Sequence, residues 1–168
     1  MNASGGFYKT PAVAALAGKH FELARHLRCR GSSIDPQGWD LLSLLHSAAE
    51  FGDLEVVQIL VELKADINAL SEAGQTPLHV VSYVDETNGA KVIQFLLEHG
   101  ADATARSKSS FTPLHCALEY GRHKIVRMLL EHSVDIEATN NQGRTPLQLA
   151  SAHQHEETVK LLLEYGAK

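Results

Sequence analysis

Only two of the 168 residues are cysteine, Cys29 and Cys116, and neither stands at metal-ligand spacing from a second ligand. A disulfide framework and a zinc module are therefore excluded, and both thiols are expected free, in a reducing compartment. The longest apolar runs are far too short to cross a bilayer. Nothing resembling a signal peptide accompanies the Asn2-Ala3-Ser4 sequon, so it carries no glycosylation reading. These absences point to an intracellular protein, cytoplasmic or nuclear, with no membrane partner. The formal charge is −5 and no basic stripe is present, so general nucleic-acid binding is not expected. Catalytic signatures are missing too: there is no Gly-rich phosphate loop, no nucleophile elbow and no His-Glu-x-x-His helix. Adjacent acids such as Glu156-Glu157 diverge on a helix, unlike a catalytic dyad. The chain is read as no enzyme, with no cofactor and no metal.

What is present is a ladder. Thr76-Pro77-Leu78-His79 recurs as Thr112-Pro113-Leu114-His115, and Thr145-Pro146-Leu147-Gln148 follows the second copy by 33 residues. Ser43-Leu44-Leu45-His46 precedes the first copy by 33, and Thr10-Pro11 lies 33 before that. Only the step from Thr76 to Thr112 differs, at 36. With 44% hydrophobic and 21% charged residues the chain has an ordinary folded composition. A fixed period means that each unit buries its apolar faces against its neighbours instead of in a single core.

The unit beginning at Thr112 shows the local chemistry. Thr112 is a good helix N-cap and Pro113 suits the first helical position, where its missing N–H is no loss. Leu114, Ala117 and Leu118 give a first helix its apolar face, and Gly121 ends it. A second helix follows over Lys124–Glu131, with Ile125, Val126, Met128, Leu129 and Leu130 as a broad apolar stripe. Asn140-Asn141-Gln142-Gly143 is turn chemistry leading into the next Thr-Pro. Further second helices are expected at Phe21–Arg28, Leu54–Leu63, Ala90–Glu98 and Glu157–Glu164. Glycine closes three of the five, at Gly31, Gly100 and Gly166, while Lys64 and Ser133 stand at the equivalent places and predict weaker caps.

From Thr10 to Lys168 this pattern resembles five repeats of the ankyrin family. The resemblance implies an all-α repeat solenoid, stacked helix-turn-helix units joined by β-hairpin loops, in one domain over residues 1–168. Repeats are placed at about 10–42, 43–75, 76–111, 112–144 and 145–168. The first is degenerate, with His26 and Arg28 where later repeats carry apolar residues, as suits a terminal cap. The fifth keeps an interior-like second helix and stops in mid-motif at Gly166-Ala167-Lys168, so a piece of a longer array is expected. The extra three residues of repeat three are assigned to a longer inter-helix loop with Asn88-Gly89 as its turn. Asp85 and Glu86 in that loop are read as tolerated surface insertion or, alternatively, as a partner contact.

In ankyrin domains the hairpin tips and first helices usually form a concave, ligand-facing side. By position this implies Trp39 and Leu42, Glu72 and Gln75, Lys108 and Phe111, and Gln142 and Arg144 from the tips. The late first helices add Glu50, Phe51, Tyr83, Glu119, Tyr120 and His153. Phe51, Tyr120 and His153 share one register, eight residues after Ser43, Thr112 and Thr145. Aromatics in such a row are read either as hot spots or as covers for neighbouring helix ends. Trp39 is read as covering the imperfect first repeat, or alternatively as a binding anchor. The segment before Ser43 lacks the glycine that Gly74 and Gly143 provide elsewhere, which leaves its hairpin geometry open.

The ten histidines follow the same scheme. The resemblance implies structural backbone hydrogen bonds for His46, His79 and His115. His99 and His132 end second helices, where a cation complements the dipole. His153 and His155 have no cysteine beside them and make no zinc signature. The resemblance also marks Asn68 as a candidate for hydroxylation by another enzyme. The function expected is a non-catalytic, monomeric module binding a partner protein or peptide on the concave face. The alternatives are a substrate-recognition or scaffold part of a larger ankyrin protein, and a small-ligand or nucleotide receptor using aromatic stacking with Lys108 and Arg144.

Overall fold

A computed structural model describes residues 40–168 apart from Ser133, with the backbone alone for residues 40–43. The expected first unit, including Trp39, Gly31 and Cys29, lies outside the described residues. Eight helices follow in four pairs: α1 (Asp40–Glu50) with α2 (Leu54–Glu62), α3 (Pro77–Val81) with α4 (Asn88–Glu98), α5 (Pro113–Glu119) with α6 (His123–Leu130), and α7 (Pro146–Ala152) with α8 (Glu156–Glu164). No strand occurs among the described residues. Like packs on like: α1, α3, α5 and α7 stack in one row, and α2, α4, α6 and α8 in a second.

The Thr-Pro starts act as the sequence predicts. Thr76, Thr112 and Thr145 are extended N-caps followed by proline, each closing a capping box with the third helical residue. In two of them that residue is a histidine: Thr76 N–H donates to His79 Nδ1 at 3.1 Å and Thr112 N–H to His115 Nδ1 at 3.3 Å. In the last, Gln148 does the same job, accepting from Thr145 N–H at 3.1 Å. The stack is held by repeated apolar columns. Leu45, Leu78 and Leu114 are fully buried in the first row, and Leu60, Leu96, Leu129 and Leu162 in the second. Each such leucine is worth about 1.5–3 kcal/mol of burial.

Two sequence expectations are corrected here. Leu42 was placed on a hairpin tip, but α1 already begins at Asp40. Ser43 has no proline after it and no glycine two residues before it, so nothing in the local sequence stops the helix from extending upstream. Asn88-Gly89 is no turn: both residues lie in the first turn of α4. Asp85 captures the amides of Thr87 at 2.9 Å and Asn88 at 3.2 Å, and its carbonyl accepts from Gly89 at 2.9 Å. The insertion still lengthens the connection between the two helices, which spans residues 82–87 against 51–53, 120–122 and 153–155 in the other pairs, but its turn is built on Asp85 instead of Asn88-Gly89. Gly89 allows a close approach, since a Cβ there would sit 3.3 Å from both the Val81 carbonyl and Val84 Cβ and push them back by a few tenths of an ångström.

Three kinds of left-handed position recur along the array. The turn between helices uses Gly52 and Gly121, the end of the second helix uses Gly100 and Gly166, and the hairpin uses Gly74 and Gly143. Each class has one non-glycine member: Gln154 (φ 59°), Lys64 (φ 65°) and Ser110 (φ 58°) respectively. Glycine occupies such φ values without the Cβ penalty the other three incur.

Candidate functional site

The hairpins are ordered by short backbone bonds. Ser71 N–H donates to Gln75 O at 2.9 Å, Ser107 to Phe111 at 2.9 Å, and Asn140 to Arg144 at 3.1 Å. Successive tips are then tied together. Lys108 N–H donates to Ala73 O at 3.0 Å, Asn141 N–H to Ser109 O at 3.1 Å, and the Asn141 side-chain amide to Lys108 O at 3.0 Å. Histidines join the tips to the first helices from below. His46 Nε2–H donates to Gln75 O at 2.8 Å and His79 Nε2–H to Phe111 O at 3.0 Å. His115 differs. The Arg144 carbonyl is near enough to favour its protonated form, yet it falls short of hydrogen-bond geometry and leaves Nε2 buried without a partner. Burial holds both His79 and His115 below the usual imidazole pKa.

Between α1, the hairpin at residues 70–75 and α3 lies an open cleft of ≈ 690 Å³, lined by His46, Ser47, Glu50, Leu70, Ser71, Glu72, Ala73, Gln75, Val80 and Tyr83. Its floor is fixed by a polar chain. The Gln75 side-chain amide donates to the Tyr83 hydroxyl, which also accepts from the Cys116 thiol at 3.3 Å. Burial, followed by the neighbouring Cys116, pushes the Tyr83 phenol up. Burial likewise pushes the Cys116 thiol up to about 12, so neither group is a ready nucleophile at neutral pH.

Four sequence-predicted residues meet in this cleft: Glu50, Glu72, Gln75 and Tyr83. The others are distributed differently. Tyr120, 53% exposed, sets its ring edge-on to Tyr83 with centroids 5.3 Å apart. Arg122 lies 6.0 Å from the Tyr120 centroid and donates to the Tyr83 carbonyl at 3.1 Å. Phe51 is 77% exposed but lines a separate hollow with Leu54, Gln58, Asn88 and Lys91, at the turn into the second helices. His153 stacks on His155 at 5.9 Å. The register row thus divides: Tyr120 pairs with Tyr83, which stands one residue off that register, while Phe51 and His153 stand apart from them. Phe111 packs its half-buried ring against His115 at 5.5 Å. Lys108, Gln142 and Arg144 are exposed on later tips and Glu119 on the end of α5; none of the four lines the cleft. Trp39 lies outside the described residues.

The sequence reading missed Leu70 and Val80. Leu70 is 59% exposed at the cleft mouth, and its repeat register holds Arg106 and Thr139 in the next two units. An apolar residue at an otherwise polar tip position was the available signal. Asp85 and Glu86 are engaged within the chain: Asp85 as above, with those amides holding its carboxyl below the usual range, and Glu86 accepting from Lys124 N–H at 2.8 Å. Asn68 is engaged too, donating to Gly100 O at 3.1 Å and accepting from Asp102 N–H at 2.8 Å. Both bonds cross to the following unit.

Paired helices stacked in two rows, capped by Thr-Pro and linked by stacked tips, are the geometry of one repeat family. A family model described as "Ankyrin repeats (3 copies)" matches residues 11–107 and again 80–168. The chain belongs to the ankyrin-repeat family. Ankyrin repeats generally mediate protein–protein interaction. Among curated proteins, the chain is similar to mouse "Protein phosphatase 1 regulatory subunit 27", 41% identical over 59 residues, which covers 35% of this chain and 38% of that protein. The human protein of the same name is 44% identical over 62 residues, with the same two shares. These matches span well under half the length of either relative. No helix among the described residues of this ankyrin array is long and apolar enough to cross a membrane.

Proposed function

We propose that the chain is a non-catalytic binding module whose concave face receives a segment of a partner protein. The observation that carries this reading is the cleft between α1, α3 and the hairpin at residues 70–75, where exposed Leu70 and the Tyr83 ring stand over ordered backbone. Binding works by rigid presentation. The tips are already tied to each other and to the first helices, so little further ordering entropy is lost on association. Glu50, Glu72, Gln75 and Tyr83 form the first contact zone. Tyr120 and Glu119 continue it, and Lys108, Phe111, Gln142, Arg144 and His153 extend it along later units. The whole chain, 1–168, acts as one array in cytoplasm or nucleus, as a monomer, without a nucleic-acid partner. The absence of catalysis is supported by the buried imidazoles of His79 and His115, which serve as capping groups, and by the high thiol pKa of Cys116. Hydroxylation of Asn68 requires the modifying enzyme to unhook its two cross-unit bonds.

The relatives' name favours one specific role, a regulatory subunit of protein phosphatase 1. Co-elution of the purified chain with that phosphatase's catalytic subunit tests it. A stable complex weakened by Leu70→Ser/Tyr120→Ala and unaffected by Gln94→Ala on α4 is the expected result. A complex indifferent to the concave substitutions refutes the concave face, and no complex at micromolar concentrations refutes the phosphatase role. The receptor alternative is weaker, because neither Lys108 nor Arg144 reaches the cleft that holds Tyr83.

A further inference from the structure

The charge of the array is concentrated where the cleft is. Residues 43–75 carry six Asp/Glu against one Lys/Arg, a formal −5, while residues 112–144 carry four of each. Two of those six acids, Glu50 and Glu72, are exposed on the cleft walls, one from the end of α1 and one from the hairpin tip. Neither is held by any described residue. Among the described residues, no lysine or arginine lines the cleft. The nearest tip cations belong to the next unit and are directed elsewhere. Arg106 donates its guanidinium to the Thr139 carbonyl, and Lys108 lays its stem over Gly74, its Cγ 3.2 Å from where a Cβ would stand. Between the two acids the surface is apolar: Leu70 at the mouth, Val80 and the Tyr83 ring on the floor.

From this juxtaposition we propose that the cleft docks a short partner segment bearing one bulky apolar side chain with a lysine or arginine within about one helical turn of it. The apolar side chain enters between Leu70 and Tyr83, and the cation is placed between Glu50 and Glu72. The proposal deepens the concave-face reading and rests on it. An acidic or uncharged segment dehydrates both carboxylates without supplying a counter-charge, which disfavours it. The apolar anchor supplies most of the affinity, and the acids set which segments are accepted.

Selection of a random 12-residue phage-displayed peptide library on the folded chain tests this. Enriched peptides are expected to combine a bulky apolar residue with Lys or Arg one to four positions away. By fluorescence anisotropy their synthetic forms are expected to bind about tenfold more weakly to Leu70→Ser. They are expected to bind about fivefold more weakly to Glu50→Gln/Glu72→Gln, the scale of two partly exposed ion pairs. Raising salt is expected to weaken the parent and to have a much smaller effect on the double variant. Leu70 is exposed, so circular dichroism of the variant should match the parent; Val80→Ala provides a second anchor-site variant if it does not. Peptides with no charge preference, or with an acidic one, overturn the proposal. Peptides that ignore the cleft variants but lose affinity with Tyr120→Ala or Lys108→Ala overturn the cleft and leave concave-face binding standing. Peptides insensitive to every concave substitution, or no enrichment at all, overturn both.

Discussion

Replacing His79 or His115 by glutamine is a substitution the chain has already made once, at Gln148. Both variants should keep the capping box, because Gln148 accepts from its own threonine amide at 3.1 Å, as the histidines do at 3.1 and 3.3 Å. The outcomes should nonetheless differ. His79 also donates from Nε2 to the Phe111 carbonyl at 3.0 Å, whereas His115 Nε2 is buried with no partner. His79→Gln therefore loses a net hydrogen bond of about 1 kcal/mol, whereas His115→Gln loses only the poorer approach of Nε2 to the Arg144 carbonyl. With ring packing lost in both, His79→Gln should be the more destabilising by up to about 1 kcal/mol. Urea unfolding at pH 8 measures this directly. A second readout follows from pH. Both native imidazole pKa values lie below the ordinary 6.5, so below pH 6.5 the unfolded chain binds more protons than the native one. The histidine contribution is fully present above that pH and is lost as pH falls through the native values. Each glutamine variant should flatten the decline between pH 7 and 5. Equal destabilisation at pH 8, or a larger loss for His115→Gln, would refute the distinction drawn between the two rings.

Lys64→Gly, Ser110→Gly and Gln154→Gly should each raise the urea midpoint. Relief of a left-handed Cβ is worth about 1–2 kcal/mol, and glycine's extra unfolded entropy returns about 0.5–1 kcal/mol of it. Three lowered midpoints would contradict the account. Gly121→Ala should destabilise far more than Gly100→Ala. At Gly121 a Cβ would lie 2.6 Å from His155 Nδ1, while at Gly100 nothing lies within 4 Å; thermal melts of the two variants check this. Cys116, fully buried with its pKa pushed up to about 12, should resist iodoacetamide at pH 8 in the native chain and react in guanidinium. Site-resolved mass spectrometry reads the difference, and rapid native labelling would count against the burial described.

The scaffold was legible because its determinants are local. A threonine, a proline and an apolar pair at three- and four-residue spacing specify a helix start wherever they occur, and the period carries the rest. The two misplaced helix starts were local as well. Asp40 begins α1 because Ser43 lacks proline and an upstream glycine, and Asp85 holds two amides so that Asn88-Gly89 becomes helix instead of turn. The site was less legible because ring direction at a helix end depends on tertiary contacts. Phe51 and Tyr120 share a register, yet Phe51 opens to the second-helix side while Tyr120 meets Tyr83. That Leu70 shapes the mouth of a cleft follows only when the hairpin is seen beside α1 and α3. Repeat grammar fixes each residue's height in the stack and leaves its surroundings to its neighbours.

The concave cleft is tested most directly by mapping amide chemical shifts of the isotope-labelled chain during titration with its tightest selected peptide. The account predicts the largest perturbations at Ser47, at 70–73, and at Val80 and Tyr83, with the second helices unmoved. Perturbations centred on Gln58, Lys91 and Lys124, with the cleft silent, would contradict it.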